Sequence, residues 1–205
     1  MRKERDAMAD TTVHLAPGPD LEPAGPLDNW SARFAELAPV VRLHASPVAQ
    51  AVIRPTGQEA LQRLGLPAAC RLRRAEDATV IWLGPDEYLA WAADVAPHEF
   101  AASIADRVQG EAYVADASGQ RTRIELGGPR AETILAHGCA IDLSPRAFGP
   151  DDVAQTLLAQ AAVIVHRVPD GFAIFVRSSY ADYLAAWLVD AATEYVADPT
   201  PAPLP

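Results

Sequence analysis

"AEDATVIWLGPDEYLAWAAD", residues 75–94, sets two short apolar runs on either side of Gly84-Pro85-Asp86-Glu87. Residues 79–84 and 88–92 are rich in strand-forming side chains, and the Gly-Pro-Asp-Glu between them suits a reversal of a few residues. The stretch therefore reads as two antiparallel strands. From Pro97 the period changes: Phe100, Ile104 and Val108 recur every fourth residue, with Ala101 and Ala105 beside them and Gly110 after them, which specifies an amphipathic helix with a stop. "AYVADAS" (112–118) and "QRTRIELGG" (120–128) read as two more strands. In the second, Ile124 and Leu126 alternate with Arg123 and Glu125, the pattern of a half-buried strand.

Further along, "GGPRAETILAHG" (127–138) predicts a short helix. Pro129 suits its first position, Ala131, Ile134 and Leu135 form its apolar stripe, and Gly138 can supply a left-handed exit. Strands are expected around 154–158, 163–168 and 172–176, the last two joined by Pro169-Asp170-Gly171, a hairpin signal. The final element is a helix with Tyr180, Leu184, Leu188, Ala191 and Tyr195 on one face and Trp187 alongside. Strand pairs followed by helices, repeated, predict an α+β fold: mostly antiparallel sheets with helices packed on one face, an order that two interlocked ferredoxin-like units satisfy. Such a sheet needs water or a partner on its other face.

Residues 1–28 carry Pro17, Pro19, Pro23 and Pro26 among polar side chains, and "ADPTPAPLP" (197–205) alternates proline. Both read as tails around one domain at 29–196, since neither can bury enough to offset the entropy of ordering. Met8 is a second possible start. At 50% hydrophobic and 21% charged, a chain of 205 residues has the composition of a globular domain with a sizeable core. The net charge of −10 is spread along the chain, which argues against a nucleic-acid surface. The one basic cluster, Arg71-Leu72-Arg73-Arg74, lies beside Glu76 and Asp77 and reads as a solvated strand end. No apolar core segment follows the charged N-terminus, and no run approaches the roughly 18 to 20 apolar residues of a membrane helix. A cytoplasmic protein is expected.

Residues suited to chemistry are scattered. Cys70 and Cys139 have no CxxC or Cys/His ligand spacing, which argues against structural zinc and leaves a single disulfide open. "GGPR" at a helix start resembles a phosphate-binding turn, but the phosphate-loop consensus is missing and Pro129 lacks an amide donor. His137 and Cys139 are a conceivable base and nucleophile, yet positions two apart rarely aim at one point. A histidine at a helix C-terminus and a small buried thiol are the simpler reading. His14, His44, His98 and His166 are dispersed, and His166 is expected as a strand residue with a satisfied hydrogen bond. Asp116 reads as a turn former with Ser118 and Gly119; Asp151-Asp152 and Asp86-Glu87 read as solvated turn residues. Trp82, Trp91 and Trp187, with Tyr88 and Tyr183, could stack a planar ligand, but core packing, or next an interface, is favoured. No catalytic, cofactor-binding or metal residue is assigned.

Four stretches together resemble the gamma subunit of heterotetrameric sarcosine oxidase: "WLGPDEYLAW" (82–91), "VADASGQRTRIELGGPRAETILAHGCAIDLSPRAF" (114–148), "AQTLLAQAAVIV" (154–165) and "VRSSYADYLAAWLVDAATEY" (176–195). They cover most of residues 75–195, in the family's order; residues 1–45 carry no such likeness. The resemblance implies a non-catalytic, structural subunit in a complex with alpha, beta and delta chains, packed chiefly against alpha. That complex demethylates sarcosine oxidatively to glycine and hydrogen peroxide, and the methyl carbon leaves as formaldehyde or 5,10-methylenetetrahydrofolate. It also implies FAD, FMN, NAD and tetrahydrofolate on the alpha and beta chains, zinc on delta, and a fold similar to the folate-binding part of the aminomethyltransferases. The competing expectation is a free-standing folate-binding one-carbon-transfer protein of aminomethyltransferase type, for which this chain is about half the expected length.

Overall fold

A computed structural model describes residues 25–196, so most of both expected tails lies outside the described residues. Among the described residues ten strands form two antiparallel five-stranded sheets. In chain order they are β1 (Arg42–Ser46), β2 (Ala49–Pro55), β3 (Leu72–Arg74), β4 (Thr79–Gly84), β5 (Glu87–Ala92), β6 (Ala112–Asp116), β7 (Arg121–Gly127), β8 (Val153–Leu158), β9 (Ala161–Val168) and β10 (Gly171–Arg177). The helices are α1 (Ser31–Glu36), α2 (Gln58–Arg63), α3 (Pro97–Val108), α4 (Ala131–Ala136) and α5 (Ala181–Thr193). One sheet runs β1-β7-β10-β9-β8 and the other β3-β4-β5-β2-β6. The chain starts in the first sheet, builds the whole second sheet, and returns to the first at β7. That excursion interlocks the two halves.

Each sheet carries its helices on one face, because strand side chains alternate and one set of each strand is apolar. Ile124, Leu126, Val163, Val165, Phe172 and Ile174 pack with Phe34 of α1, Ile134 and Leu135 of α4, and Leu184 and Leu188 of α5. Ala51, Ile53, Tyr88 and Ala90 pack with Phe100, Ile104 and Val108 of α3. The other faces meet one another: Leu72, Ile81 and Leu89 lie against Val153, Ile164 and Phe175. The second sheet thus takes the place of the water or partner expected over the first, along part of its width.

The stretch at 75–94 is the hairpin β4–β5, with Pro85-Asp86 at its tip. Its register shifts between Trp82 and Gly84, so Leu83 is the extra residue of a bulge. The Leu83 carbonyl, released from the ladder, accepts from Nε2 of Gln155 on β8 at 2.7 Å and ties the sheets together. Near β3 a second tie forms. Leu72 N–H donates to Asp151 O and Val153 N–H to Cys70 O, each at 2.9 Å, and Arg71 and Arg74 pair with Asp152 and Asp151. The basic cluster and the acidic pair are therefore partners across the join, where sequence distance hid them. These pairs are largely exposed, worth at most about 1 kcal/mol each, so they set register more than they add stability.

Several local expectations change. α4 starts at Ala131, leaving Pro129 in the preceding turn. Gly138 is not left-handed; it is a contact glycine, since a Cβ there would meet the Trp187 ring at 2.6 Å and Ala159 N at 2.9 Å. On α5 the buried face is Ala181, Leu184, Ala185, Leu188, Val189 and Ala192, while Tyr180 stands in a 3-10 turn and is 51% exposed. Arg123 is buried at 6%, because the face it shares with Glu125 meets the second sheet. Residues 42–55, outside the elements expected from the sequence, form β1 and β2.

Gly171 opens β10 at φ +154, and a Cβ there would collide with the Leu126 carbonyl and approach the Gly127 Cα at 2.9 Å. Both obstacles belong to the β7–β10 ladder and cannot swing aside. Gly171→Ala should therefore lower unfolding stability by about 1–3 kcal/mol. Gly84→Ala, where nothing lies within 4 Å, should stay within about 0.5 kcal/mol. Urea titration of both checks this, and equal midpoints would refute the packing assigned to Gly171.

Candidate functional site at the seam between the sheets

A group of buried polar and aromatic side chains lies where β5 faces β7, β9 and β10. Trp91 on β5 faces into the seam, opposite in sense to Tyr88 and Ala90 on the helix side. The Arg123 guanidinium stacks on the Trp91 ring with its carbon 4.4 Å from the ring centroid, and it pairs with Glu125 on its own strand. A desolvated guanidinium over tryptophan contributes about 2 kcal/mol, which helps offset the cost of burying the charge. His166 and Phe175 complete the cluster, with ring centroids 6.3 and 5.7 Å from Trp91.

His166 is 1% exposed, and its Nδ1 lies 2.9 Å from the Arg167 carbonyl, so Nδ1 carries the proton and donates. Burial lowers its pKa to about 4 despite that hydrogen bond, and the charges of Arg123 and Arg74 push the same way. The imidazole is neutral at pH 7. Nε2 of His166, Nε1 of Trp91 and Nε of Arg123 are buried without a partner among the described residues. His166 is thus the strand residue with a satisfied hydrogen bond that the sequence suggests, with its second ring nitrogen left without a partner among the described residues.

Gln50 on β2 is fully buried and acts as a latch. Its Nε2 donates to Arg121 O at 2.7 Å and Ser118 O at 3.3 Å, and its N–H donates to Ser118 Oγ at 2.9 Å. It thereby fixes the turn through which the chain passes from β6 to β7. Beside it lies a cleft of about 840 Å³, with Val48, Val95 and Pro97 on its apolar walls and Ser118, Arg123 and Ser178 on its polar ones. Gln50 and Arg123 were not singled out in the sequence as buried polar residues; the nearest signal is a long polar side chain inside a strand pattern.

The other candidates stay apart. Cys139 is buried in the core of the first sheet and Cys70 is exposed; both thiols are free. His137 is exposed, with Nε2 2.8 Å from Tyr195 Oη, and shares no site with Cys139. Asp116 accepts from Ser118 N–H at 2.9 Å and Ser118 Oγ at 2.7 Å, the expected turn. Trp82 and Tyr88 lie on the helix-covered face of the second sheet, Trp91 faces the seam and Trp187 packs on the first core, so these aromatics line no common slot. Trp82 is only half-buried, and Tyr88 is the fully buried ring of that hairpin. Asp86 and Glu87 face Arg54, the latter at 2.7 Å. Among the described residues no group of three His, Cys, Asp or Glu side chains could hold a metal ion, and no helix is long and apolar enough to cross a membrane.

The model of the sarcosine oxidase, gamma subunit family matches residues 44–194. Sarcosine oxidase subunit gamma of Corynebacterium sp. (strain P-1) is 33% identical over 178 residues, 86% of this chain and 85% of that one. The Arthrobacter sp. subunit gamma is 38% identical over 132 residues, 62% of this chain and 63% of that one. Among solved structures, a chain of the heterotetrameric sarcosine oxidase from Corynebacterium sp. U-96, in complex with pyrrole 2-carboxylate, superposes with a TM-score of 0.74 at 27% identity, covering 89% of this chain and 99% of that one. The aminomethyltransferase T of the glycine cleavage system from Bartonella henselae gives 0.57 at 17% identity over 77% of this chain and 48% of that one, a likeness of fold alone.

The neutral His166 has a measurable consequence. Its folded pKa lies below the unfolded value of 6.5, so between those values the unfolded chain binds more protons. Stability then rises with pH from about 4 to 6.5 and is flat above, a span on the order of 3 kcal/mol. Asp116 and Asp142 are held below the ordinary aspartate value of 3.8 by hydrogen bonds from Ser118 and Ser144, so their contributions fade only below that pH. Urea midpoints from pH 3.5 to 8 should show the rise, and His166→Gln should remove it. A slope unchanged in the variant would place the titration elsewhere.

Proposed function

The chain belongs to the sarcosine oxidase gamma subunit family, and on that premise we propose that it is a non-catalytic subunit that supports assembly of a heterotetrameric sarcosine oxidase. The observation that carries this reading is the superposition over 99% of a chain from such a heterotetramer. The seam points the same way: its arginine is paired and stacked, its histidine is neutral, and its glutamine is bonded to backbone. These groups hold two sheets together. A reaction centre needs a nucleophile, base or electrophile within reach of a substrate; Cys139 is buried in the core, and Asp116 is engaged by Ser118 in its turn.

In this reading the partners are alpha, beta and delta chains, chiefly alpha. The complex oxidises sarcosine to glycine and hydrogen peroxide, with the methyl carbon released as formaldehyde or passed to tetrahydrofolate. FAD, FMN, NAD and the folate site sit on alpha and beta, and zinc on delta. This chain's contribution is surface that completes the larger subunits.

One feature favours a second reading, a folate-binding one-carbon-transfer protein: the cleft beside Arg123 has the volume of a small-molecule site. Two measurements separate the two. Omitting this chain from co-expression of the complex should sharply reduce recovery of assembled, active oxidase. Titration of the isolated chain with tetrahydrofolate should show no saturable binding below millimolar concentration. Full assembly without the chain, or micromolar folate affinity, would transfer the weight to the second reading.

A further inference from the structure

The second sheet covers only part of the first, and the uncovered strip has an unusual composition. Leu157 on β8 is 56% exposed, one of few large apolar side chains so exposed among the described residues. Its cross-strand partner on β9, Ala162, is exposed too. Arg177 on β10 lies directly opposite Arg121 on β7. All four line one shallow groove of about 450 Å³, floored by Phe175 and Ile164.

Like charges directly opposite in an antiparallel pair oppose folding, and nothing described neutralises these two. Among the described residues the Arg177 guanidinium makes no hydrogen bond or ion pair, and that of Arg121 donates only to its neighbour Gln120. Burial and then the charge of Arg177 both act against Arg121, with Glu87 a smaller opposing influence. Glu87 itself is already bonded to Arg54 at 2.7 Å. In a chain of net charge −10, two adjacent uncompensated arginines beside an exposed leucine are a local inversion of sign.

We propose that this strip of the first sheet, Leu157 and Ala162 beside Arg121 and Arg177, is a docking surface for a carboxylate-bearing segment of another subunit. An aspartate or glutamate accepts from the paired guanidiniums, and an apolar neighbour covers Leu157. Arginine suits this role because its planar fork binds a carboxylate through two parallel hydrogen bonds. The groove is open and shallow, as a protein contact is, and the edge position of β8 leaves room for an extended chain. The inference rests on the reading of the chain as an assembly subunit.

The test uses the complex co-expressed with its partner subunits, with dissociation of this chain followed by dilution and native mass spectrometry. Arg177→Glu and Leu157→Asp should each weaken retention about tenfold or more. Arg33→Glu, an exposed charge on α1 over the opposite face, should leave it unchanged. Arg177→Gln and Leu157→Ser, milder changes at exposed positions, serve where reversal lowers the thermal midpoint, and they should weaken retention in the same order. Retention equal to wild type in all four variants would overturn the docking surface while leaving the assembly function intact; failure of the wild-type chain to be retained at all would overturn both. Stabilisation of the isolated chain by inorganic phosphate, lost in Arg177→Gln while assembly is unaffected, would assign the arginines to a small anion instead and also overturn the proposal.

Discussion

The structure depends on the apolar seam in which Leu72, Ile81 and Leu89 meet Val153, Ile164 and Phe175. Either sheet with its own helices has one face satisfied; burying the second face against its counterpart makes the halves one folded unit. The constraint propagates through strand alternation. A slip of one residue in β5 or β10 would send helix-facing residues into the seam and seam residues under the helices. The bulge at Leu83, the Gln155 side chain and the β3–β8 join hold that register from one side, and Gln50 holds it from the other.

Burial of Arg123 and His166 follows from the same constraint. Both lie on the seam face of their strands, so closing the seam removes them from water whatever their charge. The fold answers one with the Trp91 face and the Glu125 carboxylate, and the other with deprotonation. An isolated sheet would have left both solvated and the local energetics ordinary.

This explains which parts of the molecule were legible in the sequence. The hairpin of β4 and β5, the helix α3 and the pair β9–β10 announce themselves through short-range signals: Gly-Pro, the fourfold recurrence of Phe100, Ile104 and Val108, and Pro-Asp-Gly. The alternation in β7 is legible in the sequence, but the environment of its polar side is not. Arg123 and Glu125 look solvent-facing until a second sheet, built from residues 49–116, arrives to cover them. Gly138 misled for a similar reason. A glycine after a helix usually relieves a backbone angle, whereas here it clears space for Trp187, some fifty residues away. Arg71 and Arg74 stand beside Glu76 and Asp77 in the sequence, while the fold pairs them with Asp152 and Asp151. Each miss is a long-range contact, and single-sequence periodicity carries no term for those.

The likeness to an aminomethyltransferase at 17% identity transfers architecture and no chemistry, because function resides in sites grafted onto a fold. What distinguishes a chain that completes others is where it tolerates imperfection. Buried here, charge is paired or removed. On the open strip of the first sheet, Arg121 and Arg177 face one another unneutralised beside an exposed leucine, a combination that opposes folding of the isolated chain. Stability recovered only on association is linked to the partner's concentration, so a defect of that kind persists where the associated state is the working one.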